Sequence, residues 1–255
     1  MNIGKPSLSL KTFKMLSVVI PCYNEEDNLK LILDEIDKIL NKSEFNIEFI
    51  LVNNGSTDNS KIILNKLIKS KEQVKVLNIE NNIGYGHGII SGLNISRGDV
   101  LSWTHADLQT DLNDVISAYK KYLSSDNLNL IIKGKRKNRN IIDGFFTWGM
   151  QVYSSIVLKI KLNDINAQPK LFSKYFYLKF LNNPPLDFSL DLFLMYQAAV
   201  NGKVNTIDVV FKKRLYGFAK GGGSLKGKLK LIIRTLSYIK NLKQLLHEKT
   251  DKDFN

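Results

Sequence analysis

Val100-Leu101-Ser102-Trp103-Thr104-His105-Ala106-Asp107-Leu108-Gln109 passes within ten residues from an apolar run into a turn carrying an imidazole, a carboxylate and an amide. A run of that kind reads as a strand ending in a loop at its C-terminal edge, where an open α/β sheet keeps its ligands. Acidic turns are common, so the weight comes from two companions upstream. Val19-Ile20-Pro21-Cys22-Tyr23-Asn24-Glu25-Glu26 and Ile50-Leu51-Val52-Asn53-Asn54-Gly55-Ser56-Thr57-Asp58 have the same form. Helical spacing follows each: Leu29, Ile32, Leu33, Ile36, Ile39 and Leu40 after the first, and Ile62, Ile63 and Leu67 after the second. Three such strand, polar turn and helix units within about a hundred residues predict a parallel sheet with a cradle for a nucleotide diphosphate.

Working outward, strands are predicted at Leu16 to Ile20, Ile47 to Val52, Val74 to Ile79, Val100 to Trp103 and Leu130 to Lys133, with a helix from Leu112 to Leu123. Gly84 to Ser96 carries many glycines, but its Ile89, Ile90, Leu93 pattern suits a helix. Beyond Lys133 the texture changes to a basic loop, a long apolar and aromatic helix from Gly144 to Ile160, a helix over Leu190 to Val200 and an alternating strand over Ile207 to Phe211. Glycines 221 to 223 mark a hinge, and Leu225, Leu229, Ile232, Leu236, Ile239, Leu242 and Leu246 then fall at helical spacing among lysines. The expected division is a domain over 1–224, with an acceptor loop and interfacial helix at 134–161, and a basic amphipathic helix and tail over 225–255.

A chain of 255 residues with 44% hydrophobic content has enough apolar material for a substantial core. Its formal net charge of +13 points to anionic partners. The single cysteine, Cys22, excludes an intrachain disulfide and fits a reducing compartment. No secretory signal is read before Pro21. The longest uncharged stretch, Phe145 to Leu158, falls short of the roughly 20 apolar residues that a membrane-crossing helix needs. The expectation is a cytoplasmic protein, peripheral on the cytoplasmic face of a membrane.

VVIPCYNEEDNL, VNNGSTDNS, NNIGYGHGIISGL, HADLQTD, NAQPKLF, FSLD and KKRLYGFAKGG stand in this order over about residues 15 to 224. In this the chain resembles the family 2 glycosyltransferases, and within them the polyprenyl-phosphate sugar synthases. The resemblance implies a GT-A fold: a mostly parallel central sheet flanked by helices, with a Rossmann-like nucleotide-binding half and here a C-terminal helical appendage. It implies an inverting, metal-dependent transfer of a sugar from a nucleotide-diphosphate donor to a polyprenyl phosphate.

The same resemblance assigns the site. Pro21, Tyr23, Glu25 and one of the pair Asn53 and Asn54 line the pocket for base and ribose, an amide oxygen serving where the family usually has aspartate. Asp107 and Gln109 match positions associated with Mg²⁺ or Mn²⁺ on the donor diphosphate. His105 stands where the pattern usually has a first aspartate; as a ligand it favours Mn²⁺, and otherwise it lies outside the metal shell. Arg136, with Arg139, matches the grip on the acceptor phosphate, while the second arginine that the family usually carries on the following helix is missing. Asp191 occupies the acidic position facing the acceptor, and Arg214 and Lys220 match the cations that meet the donor diphosphate as a glycine-bearing loop closes. Asp107, Asp191 and Arg214 are thereby the expected catalytic group.

Aromatics at the head of the 144–160 helix suit the water–lipid boundary, and core packing against the sheet is the other reading. The C-terminal stripe can dock on its own domain, on a membrane-protein partner or on acidic lipid. Two glycine motifs are near misses. Gly84-Tyr85-Gly86-His87-Gly88 lacks the third glycine of a dinucleotide loop, and the Gly222 to Leu229 stretch ends without the hydroxyl of a phosphate loop. Transfer to a saccharide hydroxyl is the nearest alternative, with Asp191 as general base. A non-catalytic membrane or nucleic-acid module is the remote one. The basic residues follow no RNA-recognition pattern, so no nucleic-acid partner is expected.

Overall fold

The computed structural model describes residues 14–67, 71–137, 149, 152–214, 216, 227, 229 and 233–243. Strands β1 (Leu16–Cys22), β2 (Ile47–Asn54), β3 (Val74–Ile79), β4 (Val100–Trp103), β5 (Leu130–Lys137), β6 (Lys170–Ser173) and β7 (Lys203–Val210) form one sheet in the order β3-β2-β1-β4-β6-β5-β7. β1 runs parallel to β2 and β4, β2 to β3, and β5 to β7; β6 is antiparallel to both its neighbours. The predicted mixed α/β architecture with a mostly parallel sheet is thus present.

Period-two alternation along β1 sorts its side chains to two layers. Val18 and Ile20 face α1 (Glu26–Lys42) and α4 (Leu112–Leu123), while Val19 joins Ile89 and Leu93 of α3 (Tyr85–Asn94) on the other side. α1 buries Leu29, Ile32, Leu33, Ile36 and Ile39, the stripe legible in its sequence. α4 begins where Asp111 accepts from the Asn113 N–H, a side-chain cap on an otherwise unpaired donor. A third apolar cluster lies beside α6 (Leu190–Asn201): Leu192, Met195 and Tyr196 pack with Leu158, Leu162, Ile165, Ile239 and Leu242.

The structure corrects several expectations. The basic segment Gly134 to Lys137 is strand rather than loop, because it continues β5 in register with β7, Arg136 opposite Val209. β7 starts at Lys203, four residues before the alternating pattern becomes evident. β6 and the short α5 (Lys174–Phe180), whose first turn is capped by Ser173 Oγ accepting from Phe176 N–H, were not read from the sequence. The glycine-bearing segment does form α3, and its glycines serve packing. A Cβ on Gly86 would stand 2.5 Å from Pro185 O and 2.8 Å from Asp187 O, so only glycine lets the 185–187 loop cross the helix. Residues 152–158 and 233–243 are helical, as expected for parts of the 144–160 and 225–246 stretches. The aromatic head at Phe145 to Trp148 lies outside the described residues.

Candidate functional site

The strand–turn junctions of β1, β2 and β4 meet at one sheet edge, and a cavity of about 550 Å³ opens there. It is lined by Pro21, Tyr23 and Glu25 from the β1 turn, Asn54 from β2, His105, Asp107 and Gln109 from the β4 turn, Arg136 from β5, Asp191 from α6, and Arg214 beyond β7. Motifs spread over most of the chain therefore supply a single site.

In the β4 turn, Leu108 takes a left-handed backbone with φ of 55°, a conformation disfavoured for a branched side chain. Such strain clusters at functional sites. Asp107 Oδ1 accepts from Gln109 N–H at 3.1 Å, which fixes the carboxylate. Gln109 Nε2 donates to Lys212 O (3.2 Å) and Gln109 O accepts from Lys212 N–H (2.8 Å), so the segment after β7 is tied to this turn. That tie brings Arg214 to the site. Its Nη2 lies 2.8 Å from Asp107 Oδ2 and its Nη1 3.3 Å from Glu25 Oε1. Asn28 Nδ2 holds the other Glu25 oxygen at 2.6 Å.

Of the asparagine pair, Asn54 lines the cavity and Asn53 does not. Asn53, still within β2, braces the following turn: its amide donates to Asn78 Oδ1 (3.0 Å) and accepts from Ser56 N–H (3.2 Å). Asn54 Nδ2 donates to Gly84 O at 3.0 Å, leaving Oδ1 as an acceptor with no partner among the described residues. His105 stacks on Tyr85 (ring centroids 5.8 Å apart, 26° between planes), and Tyr85 stacks on Phe188 (4.9 Å, 6°). Burial, then the nearby Asp191 and Asp107 charges, hold the Tyr85 phenol well above its ordinary range, so it is a neutral hydroxyl.

Beside Tyr85, whose hydroxyl accepts from Gln168 Nε2 at 3.3 Å, Asp191 is 3% exposed and accepts at Oδ1 from the same Gln168 Nε2 (3.0 Å) and from the fully buried Lys170 ammonium (3.2 Å). Burial pulls the Lys170 pKa down, against the pull of Asp191. Its register partner Lys133 is brought to about 7, first by burial and then by the Lys170 charge. The two ammonium groups donate to the Asp164, Ile165 and Ala167 carbonyls and so fix the segment that presents Asn166 and Gln168 to the cavity. Arg136 is engaged as well: Nε (3.0 Å), Nη2 and its own backbone N–H (2.9 Å) all donate to Asp164. Arg139 and Lys220, the other expected anion contacts, lie outside the described residues.

No group of three or more His, Cys, Asp or Glu side chains among the described residues makes a metal cage. The donor set nonetheless fits a hard divalent ion that takes its remaining ligands from a diphosphate and water. One carboxylate, Asp107, already holds a cation, the Arg214 guanidinium, on its outer oxygen. Gln109 offers an amide oxygen beside it, while the stacking of His105 on Tyr85 gives that imidazole a packing role irrespective of any metal.

Tyr85, Phe188, Gln168 and Arg234 are among the lining groups that sequence reasoning missed. The first three lie in or beside the motifs quoted above. Arg234 carries no local signal, because it reads as one more cation in a basic helical stripe. That helix docks on its own domain: Ile239 and Leu242 are buried in the cluster beside α6, with Tyr238 packed against it.

Residues 17–185 match the family described as Glycosyl transferase family 2. The dodecaprenyl-phosphate galacturonate synthase of Rhizobium johnstonii is 26% identical over 163 residues, covering 62% of this chain and 47% of that protein. A dolichyl-phosphate beta-glucosyltransferase of Trichomonas vaginalis is 29% identical over 188 residues, covering 68% of this chain and 54% of that protein. The chain thus spans about half the length of these relatives. Glucosyl-3-phosphoglycerate synthase from Mycobacterium tuberculosis, solved with UDP, superposes with a TM-score of 0.68 at 15% identity over 92% of this chain and 82% of that one. A mannosyltransferase from Pyrobaculum calidifontis, solved with GDP-Man and Mn²⁺, gives 0.58 at 16% identity over 84% and 60%. These likenesses are of fold, and the fold is GT-A.

Proposed function

This chain belongs to glycosyltransferase family 2, and on that premise we propose that it transfers a sugar from a nucleotide-diphosphate sugar to a polyprenyl phosphate, with inversion at the anomeric carbon. The observation that supports the reading is that one cavity is lined by both sets of residues: the Asp107–Arg214 pair with Pro21, Tyr23, Glu25 and Asn54, which we assign to the donor, and Arg136 and Asp191, which we assign to the acceptor. Relatives named for dodecaprenyl-phosphate and dolichyl-phosphate substrates favour a lipid phosphate.

In the reaction, an acceptor phosphate oxygen bonds to the anomeric carbon as the bond from that carbon to the nucleoside diphosphate breaks. The electron pair leaves with the diphosphate. Arg214 meets the charge that grows there, and Asp107 with Gln109 would hold a divalent ion, Mg²⁺ or Mn²⁺, which adds positive charge beside the leaving group. A phosphate acceptor is already anionic near neutral pH and needs little deprotonation. Asp191, tied to Lys170 and Gln168, then serves to orient its wall of the cavity.

No helix among the described residues is long and apolar enough to cross a membrane. Contact with a bilayer would be peripheral, on the cytoplasmic face, and Tyr153 and Ile156, 43% and 70% exposed on the 152–158 helix, suit that contact. The test is to incubate the protein and Mn²⁺ with a panel of nucleotide sugars and undecaprenyl phosphate; a lipid-linked sugar is expected. The second reading, a saccharide hydroxyl acceptor, draws on Asp191 lining the cavity. Under it Asp191→Asn abolishes turnover, whereas the lipid-phosphate route retains a large part.

A further inference from the structure

Three guanidinium groups line the cavity: Arg136, Arg214 and Arg234. Two of them are matched by carboxylates at close range, Arg214 by Asp107 and Glu25, and Arg136 by Asp164. Arg234 differs. Its Nε is ion-paired with Asp187 Oδ2 at 3.6 Å, a looser contact beyond hydrogen-bond reach, and its side chain is 43% exposed. The other Asp187 oxygen accepts from Ser189 N–H at 2.9 Å, where the chain enters α6, so this carboxylate has a structural task of its own.

The position of Arg234 is built. Tyr238, Ile239 and Leu242 anchor the 233–243 helix against α6 and the 158–165 segment, which sets Arg234 at the cavity wall. Exposed apolar residues adjoin this ion pair in the chain: Ile233 precedes Arg234, and Leu186 and Phe188 flank Asp187. A cation at a cavity wall among exposed apolar groups suits a ligand with an anionic head and a hydrocarbon body.

We propose that Arg234 binds the phosphate monoester of the acceptor, together with Arg136, so that the C-terminal helix is part of the acceptor site. The proposal rests on the reading of a phosphate acceptor. A phosphate monoester carries about 1.5 to 2 negative charges at neutral pH. Arg136 is already charge-matched by Asp164 and cannot balance that load alone. Arg234, paired only loosely with Asp187 and more exposed than the other two guanidinium groups, supplies the further positive charge, and from a different element than the helix on which the family's second arginine is expected.

The test titrates the full chain with two soluble phosphate monoesters, geranyl phosphate for the lipid source and 3-phosphoglycerate for the free one, by calorimetry. Geranyl phosphate should bind the wild type, weaken about tenfold or more in R234Q, recover in part in R234K, which keeps the charge but loses the planar fork, and be unchanged in K240Q on the exposed face of the same helix. Equal binding of 3-phosphoglycerate with the same dependence on Arg234 leaves the phosphate grip standing and removes the lipid preference. Unchanged affinity in R234Q, or no binding of either ester by the wild type, overturns the proposal. Turnover judges the acceptor separately: with undecaprenyl phosphate, R234Q should raise the acceptor KM while donor KM and kcat hold. A wild type that glycosylates only a neutral saccharide sinks the acceptor reading, while the titration still decides on Arg234.

Discussion

Arg214 Nη2 lies 2.8 Å from Asp107 Oδ2, and through its other terminal nitrogen the same guanidinium reaches Glu25, so one cation spans two carboxylates that come from turns 82 residues apart. Without it, two anions face the cavity uncompensated. Arg214→Gln should therefore destabilise the fold by about 3 kcal/mol, as breaking a largely buried pair does. Mn²⁺ alone should restore part of the lost melting temperature in the variant and raise that of the wild type little, because there the guanidinium already occupies Asp107. Thermal melts with and without Mn²⁺, in the absence of nucleotide, check this; equal responses of the two proteins would refute it.

Asp107→Asn keeps the shape of the β4 turn and removes the charge. Turnover should fall by about a hundredfold or more, the scale of losing a group that stabilises charge in the transition state. A nucleoside diphosphate should still raise the melting temperature of the variant, but that rise should no longer grow when Mn²⁺ is added. A variant whose nucleotide shift remains metal-dependent would move the ion elsewhere.

The half of this cavity built by the turns after β1, β2 and β4 was legible in the sequence because local rules write those turns. Each strand ends in a polar turn, period two and period 3.6 patterns flank it, and Pro21, Tyr23, Glu25, Asn54, Asp107 and Gln109 all arrive at one cavity. The half built around β5 and α6 was less legible, since it is assembled by non-local pairing. Gly134 to Lys137 reads as a charged loop until β7 pairs with it. Lys133 and Lys170 are buried donors to backbone carbonyls, which no local pattern announces. Asn53 and Asn54 are indistinguishable as letters; the alternation of β2 sends one into a turn network and the other to the cavity.

Gly86→Ala tests the joint between the two halves. Its Cβ would meet Pro185 O at 2.5 Å and the Leu186 and Asp187 backbone at 2.8 Å, and backbone atoms cannot swing aside as a long side chain does. The 185–187 loop leads directly into Phe188 and Asp191. The substitution should cost about 1 to 3 kcal/mol of stability, the range for overpacking, and should raise the acceptor KM more than the donor KM. Steady-state kinetics varying each substrate, alongside urea melts, separate this from a general loss of fold.

Glu48 supplies the last prediction, at the opposite edge of the sheet from the cavity. Its buried carboxylate accepts from Ser17 Oγ (2.7 Å), Arg97 N–H (2.7 Å), Arg97 Nε (3.0 Å) and the Lys75 ammonium (3.0 Å). Burial alone would raise its pKa, but these donors outweigh it and bring the value from an ordinary 4.5 to about 2. A carboxyl whose pKa is lowered on folding contributes stability that is full above the unfolded value and lost as pH falls towards the folded one, here between about 4.5 and about 2. The contribution is of order 3 kcal/mol. Glu48→Gln should therefore lower stability at neutral pH by up to about that amount, and its urea midpoint should fall less steeply than that of the wild type below pH 4.5. Nucleotide affinity, measured at neutral pH under folding conditions, should not change, because the Ser17–Glu48 pair sits at the N-terminal ends of β1 and β2 while the cavity opens at their C-terminal ends.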